Sequence, residues 1–524
     1  MDKRFVIFII ISVAVLYFSN YYAMQKAKQK ISTSHINITE KTTKPESDEI
    51  EKILKISDEK ALVESNEKGS DYQFENNFLK MSANSKGILK EVLLKTAPNN
   101  EELIAFIKPN EQNDNFNFEY AVNEENVNDK KEHWDFNRGT ENFTLELKKK
   151  EQYQIAKKIS FFNNQTAKVE IKIGNLSKNV IELKTPKLIW QLVKERSSPQ
   201  NIKQIVIYSK AKVLRIKPQK KSGIEKVDYT PEWLGIKDQY FCMIFYKSNP
   251  QFSSAIVKYS EDQSMSLYIV FPNIELMPGE TKVIEMHAYL GPQNYENLKK
   301  IGYQLQHVVH FGFFHIIGVP LYYLLKFFYS ITKNYGFAII LLTILIRVIL
   351  WWPTQKSYSS MKKMQTAMNK MQPRLKTLKE IYKNEPAKLN EETMKLYREY
   401  QINPMGGCLP MLLQMPVFFA LYSTLVSSVE LKGAPFIWFW KDLSLKDPYY
   451  VLPLLMGISM FIQQKMSTPP AATPEAAAQQ KMMLYFMPAM LTFFAFVWPS
   501  GLLLYWVVSN ILSIGQQLLI NRSR

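Results

Sequence analysis

The chain has 524 residues, enough for several domains, and only two cysteines, which excludes a disulfide framework. Its formal net charge of +18 would suit a nucleic-acid-binding protein, but no RNA- or DNA-binding motif is present. After Pro353 the basic residues concentrate between apolar segments, as expected of membrane topology. We therefore predict no nucleic-acid recognition.

A short apolar run follows Lys3 and Arg4 near the start of the chain. It predicts an N-terminal transmembrane anchor over residues 1–24. A cleaved signal peptide is the alternative, but no small-x-small cleavage site follows the run. We favour an uncleaved anchor whose N-terminus is cytoplasmic. Residues 25–70 are rich in Lys, Glu, Ser and Thr, which predicts a disordered periplasmic linker.

Residues 71–295 show period-two alternation of apolar and polar side chains, interrupted by Asn, Gly, Pro and Ser clusters. The clearest cases are Phe143, Leu145 and Leu147, then Val169, Ile171 and Ile173, and the runs 204–208, 240–246, 266–271 and 282–289. We predict one large antiparallel β-sandwich on the periplasmic side. It contains no nucleophile elbow, phosphate loop or metal-ligand spacing.

Residues 305–333 are apolar and aromatic and predict an amphipathic helix lying in the membrane interface. His307, His310 and His315 are closely spaced, but no carboxylate accompanies them. Interfacial packing therefore explains them better than metal binding, and we predict neither a metal nor a cofactor.

The second span is predicted over residues 336–353 and carries a single cation, Arg347. An ionised side chain inside a membrane-length segment is costly and usually faces a bundle interior or a wet cavity. The alternative is that Arg347 extends to the nearer interface, since Pro353 is about 9 Å away at helical rise.

Residues 354–404 contain eleven Lys and Arg against five Glu, so the positive-inside rule places them in the cytoplasm. They predict a helical hairpin whose first helix carries Met361, Met364, Met368 and Met371 on one face. This stripe is either the core of the hairpin or an adaptable methionine surface for apolar clients.

The remaining chain predicts four more spans, so that six cross the membrane and both termini are cytoplasmic. Some are short enough to thin the bilayer. The predicted segments are the third span at 406–429, a periplasmic loop at 430–449, the fourth span at 448–465, a cytoplasmic loop at 466–481, the fifth span at 482–499 and the sixth at 501–521.

Several polar side chains interrupt these apolar segments, and none of them is a carboxylate. Thr343 lies one turn before Arg347, and the later spans contribute Gln414, Tyr505, Trp506 and Asn510. A guanidinium without a counter-charge needs water, so we predict a water-filled cavity open on one side of the membrane.

Four blocks of the sequence identify a family: GFAIILLTILIRVILWWPTQKSY, NPMGGCLPMLLQMPVFFALY, DPYYVLPLLMGISMFIQQKM and WPSGLLLYWVVSN. In this order they resemble the YidC/Oxa/Alb membrane protein insertases, in the long form with a periplasmic β domain. The resemblance implies a multi-pass α-helical membrane protein of the cell inner membrane. Its six spans would include a five-helix core around a hydrophilic groove open to the cytoplasm and lipid.

The resemblance also implies roles for individual residues. The family's invariant arginine falls on Arg347, its preceding polar position on Thr343, its groove glutamine on Gln414 and its client-contacting aromatic on Trp506. The hairpin matches the family's mobile cytoplasmic cap. The chain stops at Arg524 without the long basic tail of some relatives, so we expect ribosome contact to depend on the hairpin and loops.

The implied function is that of an insertase and chaperone for nascent membrane proteins, acting alone or with the Sec translocon, including SecDF. The ribosome and membrane lipids are the further partners that the resemblance implies. No bond is made or broken, so the chain is not expected to be an enzyme. Two other classes stay open. A transporter or channel also uses intramembrane cations, although no internal repeat is visible, and the β domain alone would suit a membrane-anchored periplasmic binding protein.

Overall fold

The computed structural model describes residues 72–522, except for short gaps at 76–78, 84–88, 98–99, 108–115, 123–124, 129–133, 139–141, 148–151, 163–164, 193–202, 228, 262, 383–384, 401–408 and 469–479. The predicted anchor at 1–24 and linker at 25–70 lie outside the described residues. The described residues divide into two compact units, residues 72–309 and residues 310–522.

The first unit is built from β-strands, as the period-two pattern predicts. The strands are β1 Tyr72–Glu75, β2 Leu79–Ala83, β3 Leu89–Ala97, β4 Asn100–Ile107, β5 Phe116–Val122, β6 Glu125–Asn128, β7 Trp134–Arg138, β8 Asn142–Leu147, β9 Tyr153–Phe161, β10 Thr166–Asn175, β11 Ile181–Leu192, β12 Gln204–Ser209, β13 Lys212–Ile216, β14 Gly223–Val227, β15 Trp233–Lys237, β16 Phe241–Asn249, β17 Ser254–Tyr259, β18 Met265–Val270, β19 Ile274–Leu276 and β20 Thr281–Pro292.

Two large antiparallel sheets form the sandwich. One has the order β13-β12-β15-β16-β20-β10-β9-β8-β7, and the other runs β14-β17-β18-β11-β5-β6 with β19 added beside β11. Strands β1 to β4 pair with one another in a separate sheet. In β10, Val169, Ile171 and Ile173 are buried in the core between the large sheets, which confirms the predicted alternation.

Strand β15 departs from alternation, because all five of its residues are buried. Its inner face packs in the sandwich, and its outer face is covered by residues 293–309, here called the closing segment. This segment contains helix α1, Tyr295–Ile301, and a short 3-10 helix, Leu305–Val308. Leu298, Leu305 and Val308 are fully buried in the first unit. Strand β15 lies near the edge of its sheet, and it has no exposed residue because both of its faces are covered.

A buried lysine and a half-buried arginine hold the closing segment. The Lys237 Nζ donates to Gln293 Oε1 at 2.7 Å and to the Val308 carbonyl at 2.9 Å, and Arg215 donates to the His307 carbonyl at 2.8 Å. Burial, with a smaller contribution from the Arg215 guanidinium, lowers the pKa of Lys237 to about 8. Burial also lowers the pKa of Arg215 to about 10.

The second unit is helical. Its helices are α2 His315–Thr332, α3 Tyr335–Ile349, α4 Trp351–Ile381, α5 Pro386–Glu399, α6 Leu409–Ser427, α7 Val451–Ser467, α8 Met487–Ala495 and α9 Ser500–Arg522, with a π-helical turn at Met482–Phe486 before α8. The side chain of Asn334 begins α3 by accepting from the backbone N–H groups of Gly336 and Phe337. Helices α4 and α5 form the hairpin predicted at 354–404.

The range 305–333, predicted as one interfacial helix, is not continuous. Gln304 and Gly312 adopt left-handed backbone conformations on either side of the 3-10 helix, and α2 starts only at His315. Leu305 and Val308 are apolar because they cover the sheet of the first unit. Helix α2 itself buries Leu321 but exposes Ile331, so it is apolar on both sides, as a lipid-contacting helix is.

Among the described residues, one helix is long and apolar enough to cross a membrane by length and composition, Ser500–Ile520 in α9. The pair α3 and α4, bent by 63° at their junction, counts as a second if it is taken as one span. One or two such helices are weak evidence of a membrane protein, so the six spans stay a prediction. The other helices are short: α7 has 17 residues, or about 25 Å.

Candidate functional site

Arg347 lies near the end of α3, in the second unit. Its side chain is half-buried, and its Nη2 donates to Ser509 Oγ on α9 at 2.5 Å. Within the described part of the chain, no carboxylate lies within ion-pair distance of Arg347. The guanidinium is thus held by a neutral group, and its charge is not cancelled by a described residue.

Two other predicted site residues form a second hydrogen bond one helical turn away. Ser509 lies one helical turn after Tyr505, whose hydroxyl accepts from Gln414 Nε2 on α6 at 2.6 Å. Tyr505 and Ser509 are only 2% and 3% exposed, so both bonds are shielded from solvent. Arg347 with Ser509, and Gln414 with Tyr505, are thus two hydrogen-bonded pairs that meet on neighbouring turns of α9, and we call these four residues the arginine cluster.

The other predicted site residues do not bond to the arginine cluster. Thr343 is buried and donates to the Ile339 carbonyl of its own helix at 2.7 Å. Asn510 donates from Nδ2 to Ser459 Oγ on α7 at 3.0 Å, away from Arg347. Their observed bonds lie within α3 and between α7 and α9, and a role of either residue in a groove stays a prediction.

Trp506 belongs to an aromatic group. Its ring meets Phe418 edge-on at 4.6 Å between centroids and stacks on Trp498 at 5.5 Å. Tyr505 and Trp506 are neighbours in sequence but point in directions about 100° apart around α9. Through these two side chains α9 makes a polar contact with Gln414 and an aromatic contact with Phe418, both on α6.

Ser509 was not among the residues predicted from the sequence. It lies four residues after Tyr505, one helical turn, so the two side chains share a face of α9. A search for polar residues at this spacing would have found it. A lone serine in an apolar helix ordinarily bonds its own backbone, which is why it draws little attention.

A second polar contact lies farther along α9. Gln516 Nε2 donates to Thr354 Oγ1 at 3.0 Å and to the Trp351 carbonyl at 3.1 Å, both at the start of α4. These bonds join α9 to the junction at which α3 and α4 bend by 63°. The neighbouring Gln517 instead donates to Ser467 Oγ on α7 at 2.8 Å.

The methionine stripe of the hairpin is largely internal. Met368 and Met371 are buried together with Leu375 and Leu396, and Met364 packs against this cluster while partly buried. Met361 is also buried, at 6% exposure. The structure thus favours a hairpin core over an open client surface, and a role of these side chains in client binding stays a prediction.

The arginine cluster has a simple chemical capacity. Neutral hydroxyl and amide dipoles stabilise the guanidinium without neutralising it, so its positive charge remains available to an anion. An attraction of this kind is several-fold stronger in a low-dielectric setting than in water. The cluster holds no nucleophile with an adjacent base, so it is suited to electrostatic binding.

Comparison with known proteins gives two family matches. A family described as "60Kd inner membrane protein" matches residues 327–524, and one described as "YidC periplasmic domain" matches residues 72–324. The chain is 43% identical over 298 residues to "Membrane protein insertase YidC" of Geobacter sulfurreducens, covering 57% of this chain and 54% of that protein. It is 44% identical over 291 residues to the protein of the same name from Syntrophus aciditrophicus, covering 55% and 52%.

A solved structure described as "Active YidC insertase crystal structure with the first transmembrane domain resolved" aligns with a TM-score of 0.38 and 17% identity, covering 86% of this chain and 92% of that chain. The aligned parts span about half the length of the two curated relatives. Between them, the two family matches cover nearly all of the chain from residue 72 onwards. The chain therefore belongs to the YidC family of inner membrane proteins, with a periplasmic β-sandwich domain and a helical region.

Proposed function

We propose that the chain is a membrane protein insertase and chaperone, which places segments of nascent membrane proteins into the inner membrane and helps them fold. The observation that carries this proposal is the half-buried Arg347, which bonds to a neutral hydroxyl and has no described counter-charge. A cation kept in this state inside an apolar helical unit is suited to attract an acidic segment that has to enter the membrane.

The proposed topology has six spans with both termini in the cytoplasm and the β-sandwich in the periplasm. Five spans enclose a hydrophilic groove that opens to the cytoplasm and to lipid. The short helices support this topology, because spans of about 25 Å thin the surrounding bilayer and shorten the path of a polar segment. The basic hairpin of α4 and α5 lies on the cytoplasmic side, as its charge favours.

Insertion then needs no chemical step. The hydrophilic segment of a client enters the groove, where the charge on Arg347 attracts its acidic residues. The apolar segment of the client leaves sideways into the thinned lipid, and the polar segment completes its crossing. The Sec translocon with SecDF and the ribosome are proposed as partners that deliver clients, the ribosome through the hairpin and its loops.

The test is insertion into proteoliposomes that contain the purified full chain. The client is a single-span protein with two acidic residues in its translocated segment, and insertion is measured as protease-protected product. We expect Arg347→Ala to abolish insertion of this client, because the attracting charge is lost. Arg347→Lys retains a cation and should retain most of the activity.

The exposed Arg522 at the end of α9 offers a matched control, and Arg522→Ala should insert the client as the unaltered chain does. Normal insertion by Arg347→Ala, at normal abundance in the liposomes, would refute the role of the charge. Flux of a small solute through the vesicles, without insertion, would instead favour a transporter or channel. Loss of all activity on removal of residues 72–292, with the helical unit intact, would favour a periplasmic binding protein.

A further inference from the structure

Ser509 is the one residue of the arginine cluster that contacts Arg347 directly. It is 3% exposed, and its Oγ lies 2.5 Å from the Arg347 Nη2. We propose that Ser509 is a positioning residue, which fixes the Arg347 guanidinium inside the helical unit at the depth where it attracts the client. This inference rests on the proposed function and names the residue on which the action of the arginine depends.

The position of an arginine side chain needs such a contact. Arg347 lies only two residues before the end of α3 at Ile349, and an arginine stem is long enough to carry its charge to a nearby interface. Water and lipid headgroups would favour that outward position. A strong hydrogen bond from the guanidinium to a buried oxygen opposes it, since bonds to charged groups are stronger than neutral ones.

The direction of the bonds in the arginine cluster supports this role. The Ser509 oxygen accepts from Arg347, so the hydroxyl proton of Ser509 points away from the guanidinium. One turn earlier on α9, the Tyr505 oxygen accepts from the amide of Gln414. Ser509 thus presents the negative end of its dipole to the guanidinium, and Gln414 on α6 fixes the Tyr505 side chain beside it.

The guanidinium also keeps most of its binding capacity. It has five N–H groups, and described residues accept only the one that bonds to Ser509. The remaining N–H groups are available to water or to a carboxylate of the client. A serine positions the charge through one contact without occupying the rest, whereas a buried Asp or Glu at this position would neutralise it.

The chain supplies a matched control on the same face of α9. Ser513 lies one turn after Ser509 and is fully buried, but its Oγ donates to the Ser509 carbonyl of its own helix at 2.9 Å. Replacing either serine by alanine removes the same atom from the same helix. Only Ser509→Ala removes a contact with Arg347.

The experiment uses the full chain in proteoliposomes and two clients that differ only in their translocated segment. One has two Asp residues there, and the other has two Asn residues. We expect Ser509→Ala to slow insertion of the Asp client about tenfold to hundredfold, the scale of one lost hydrogen bond to a charged group. The Asn client should change less than about twofold, and Ser509→Thr, which keeps the hydroxyl, should restore the Asp client.

Two further variants separate positioning from general packing. Ser513→Ala should insert both clients at the unaltered rate. In an Arg347→Ala background, Ser509→Ala should leave insertion of the Asn client unchanged, because there is no guanidinium left to position. Each variant is compared at equal amounts of protein, with its thermal unfolding in detergent measured alongside.

The inference is overturned if Ser509→Ala slows both clients equally, if Ser513→Ala has the same effect, or if Ser509→Thr fails to restore the Asp client. It is also overturned if Arg347→Ala blocks the Asp client while Ser509→Ala inserts it normally, and the proposed function then survives. If the unaltered chain inserts neither client, the proposed function fails and the inference with it.

Discussion

Lys237 gives a prediction whose size follows from its burial. Its ammonium is enclosed by the closing segment, and its pKa is lowered from 10.5 to about 8. In the unfolded chain this group stays protonated up to its ordinary pKa, so between pH 8 and 10.5 the unfolded state binds more protons than the folded state. The contribution of Lys237 to the free energy of unfolding therefore rises with pH in this window and is smallest below pH 8.

The expected rise is about 2 kcal/mol between pH 7.5 and 9.5, from two pKa values that differ by roughly 2.5 units. Other groups act in the opposite direction. Burial raises the pKa of Cys242 and of Tyr289, so the stability that these groups contribute is lost as pH rises above their ordinary values. A variant without Lys237 has to be compared with the unaltered chain at each pH.

The variant is Lys237→Met, which keeps the apolar stem and removes the titrating group. Unfolding of the β-sandwich in the full chain, in detergent, is followed by pulse proteolysis in increasing urea, and the helical unit provides the internal reference band. The difference in unfolding free energy, unaltered chain minus variant, should rise by about 2 kcal/mol from pH 7.5 to 9.5. A difference that is independent of pH, or that falls, would refute the account of Lys237 as a buried cation.

Two further predictions concern the helical unit. Gln516→Leu removes the amide that bonds to Thr354 at the bend between α3 and α4, so the distance distribution between spin labels on the hairpin and on α7 should broaden. The control is Gln517→Leu, whose amide contacts α7 and whose loss should leave the distribution unchanged. Equal broadening in both variants would show that the bend does not depend on Gln516. Met371→Ala leaves a cavity at a fully buried position of the hairpin core and should lower the stability of the hairpin by about 2–5 kcal/mol, measured by hydrogen exchange. Met364→Ala, at a partly buried position, should lower it clearly less. Small and equal decreases in stability for both variants would favour an open client surface.

The strands could be predicted from the sequence because their signal is local. Alternation at Val169, Ile171 and Ile173 depends only on which face of one strand meets the core. The β-sandwich, the hairpin and the candidate arginine all follow from patterns within about twenty residues.

What the sequence could not supply is which apolar surface a segment covers and how a helix is rotated. Leu305 and Val308 have the composition of an interfacial helix, but they cover a β-sheet. Asn510 follows Ser509 directly, yet one residue turns a helix by about 100°, so Asn510 contacts α7 and Ser509 contacts Arg347. Hydropathy does not distinguish these outcomes, because both positions lie in the same apolar run.

The position of the closing segment in the chain has a consequence for the order of folding during synthesis. Residues 293–309 are the last of their unit to be translated, so the outer face of β15 remains open after all of its neighbouring strands exist. Until the final turn is made, Lys237 lacks its contact with Val308 and Tyr208 lacks the ring of His307. We expect the sandwich to reach its native protection against proteases only when the nascent chain has released residue 309, as a late, all-or-none event.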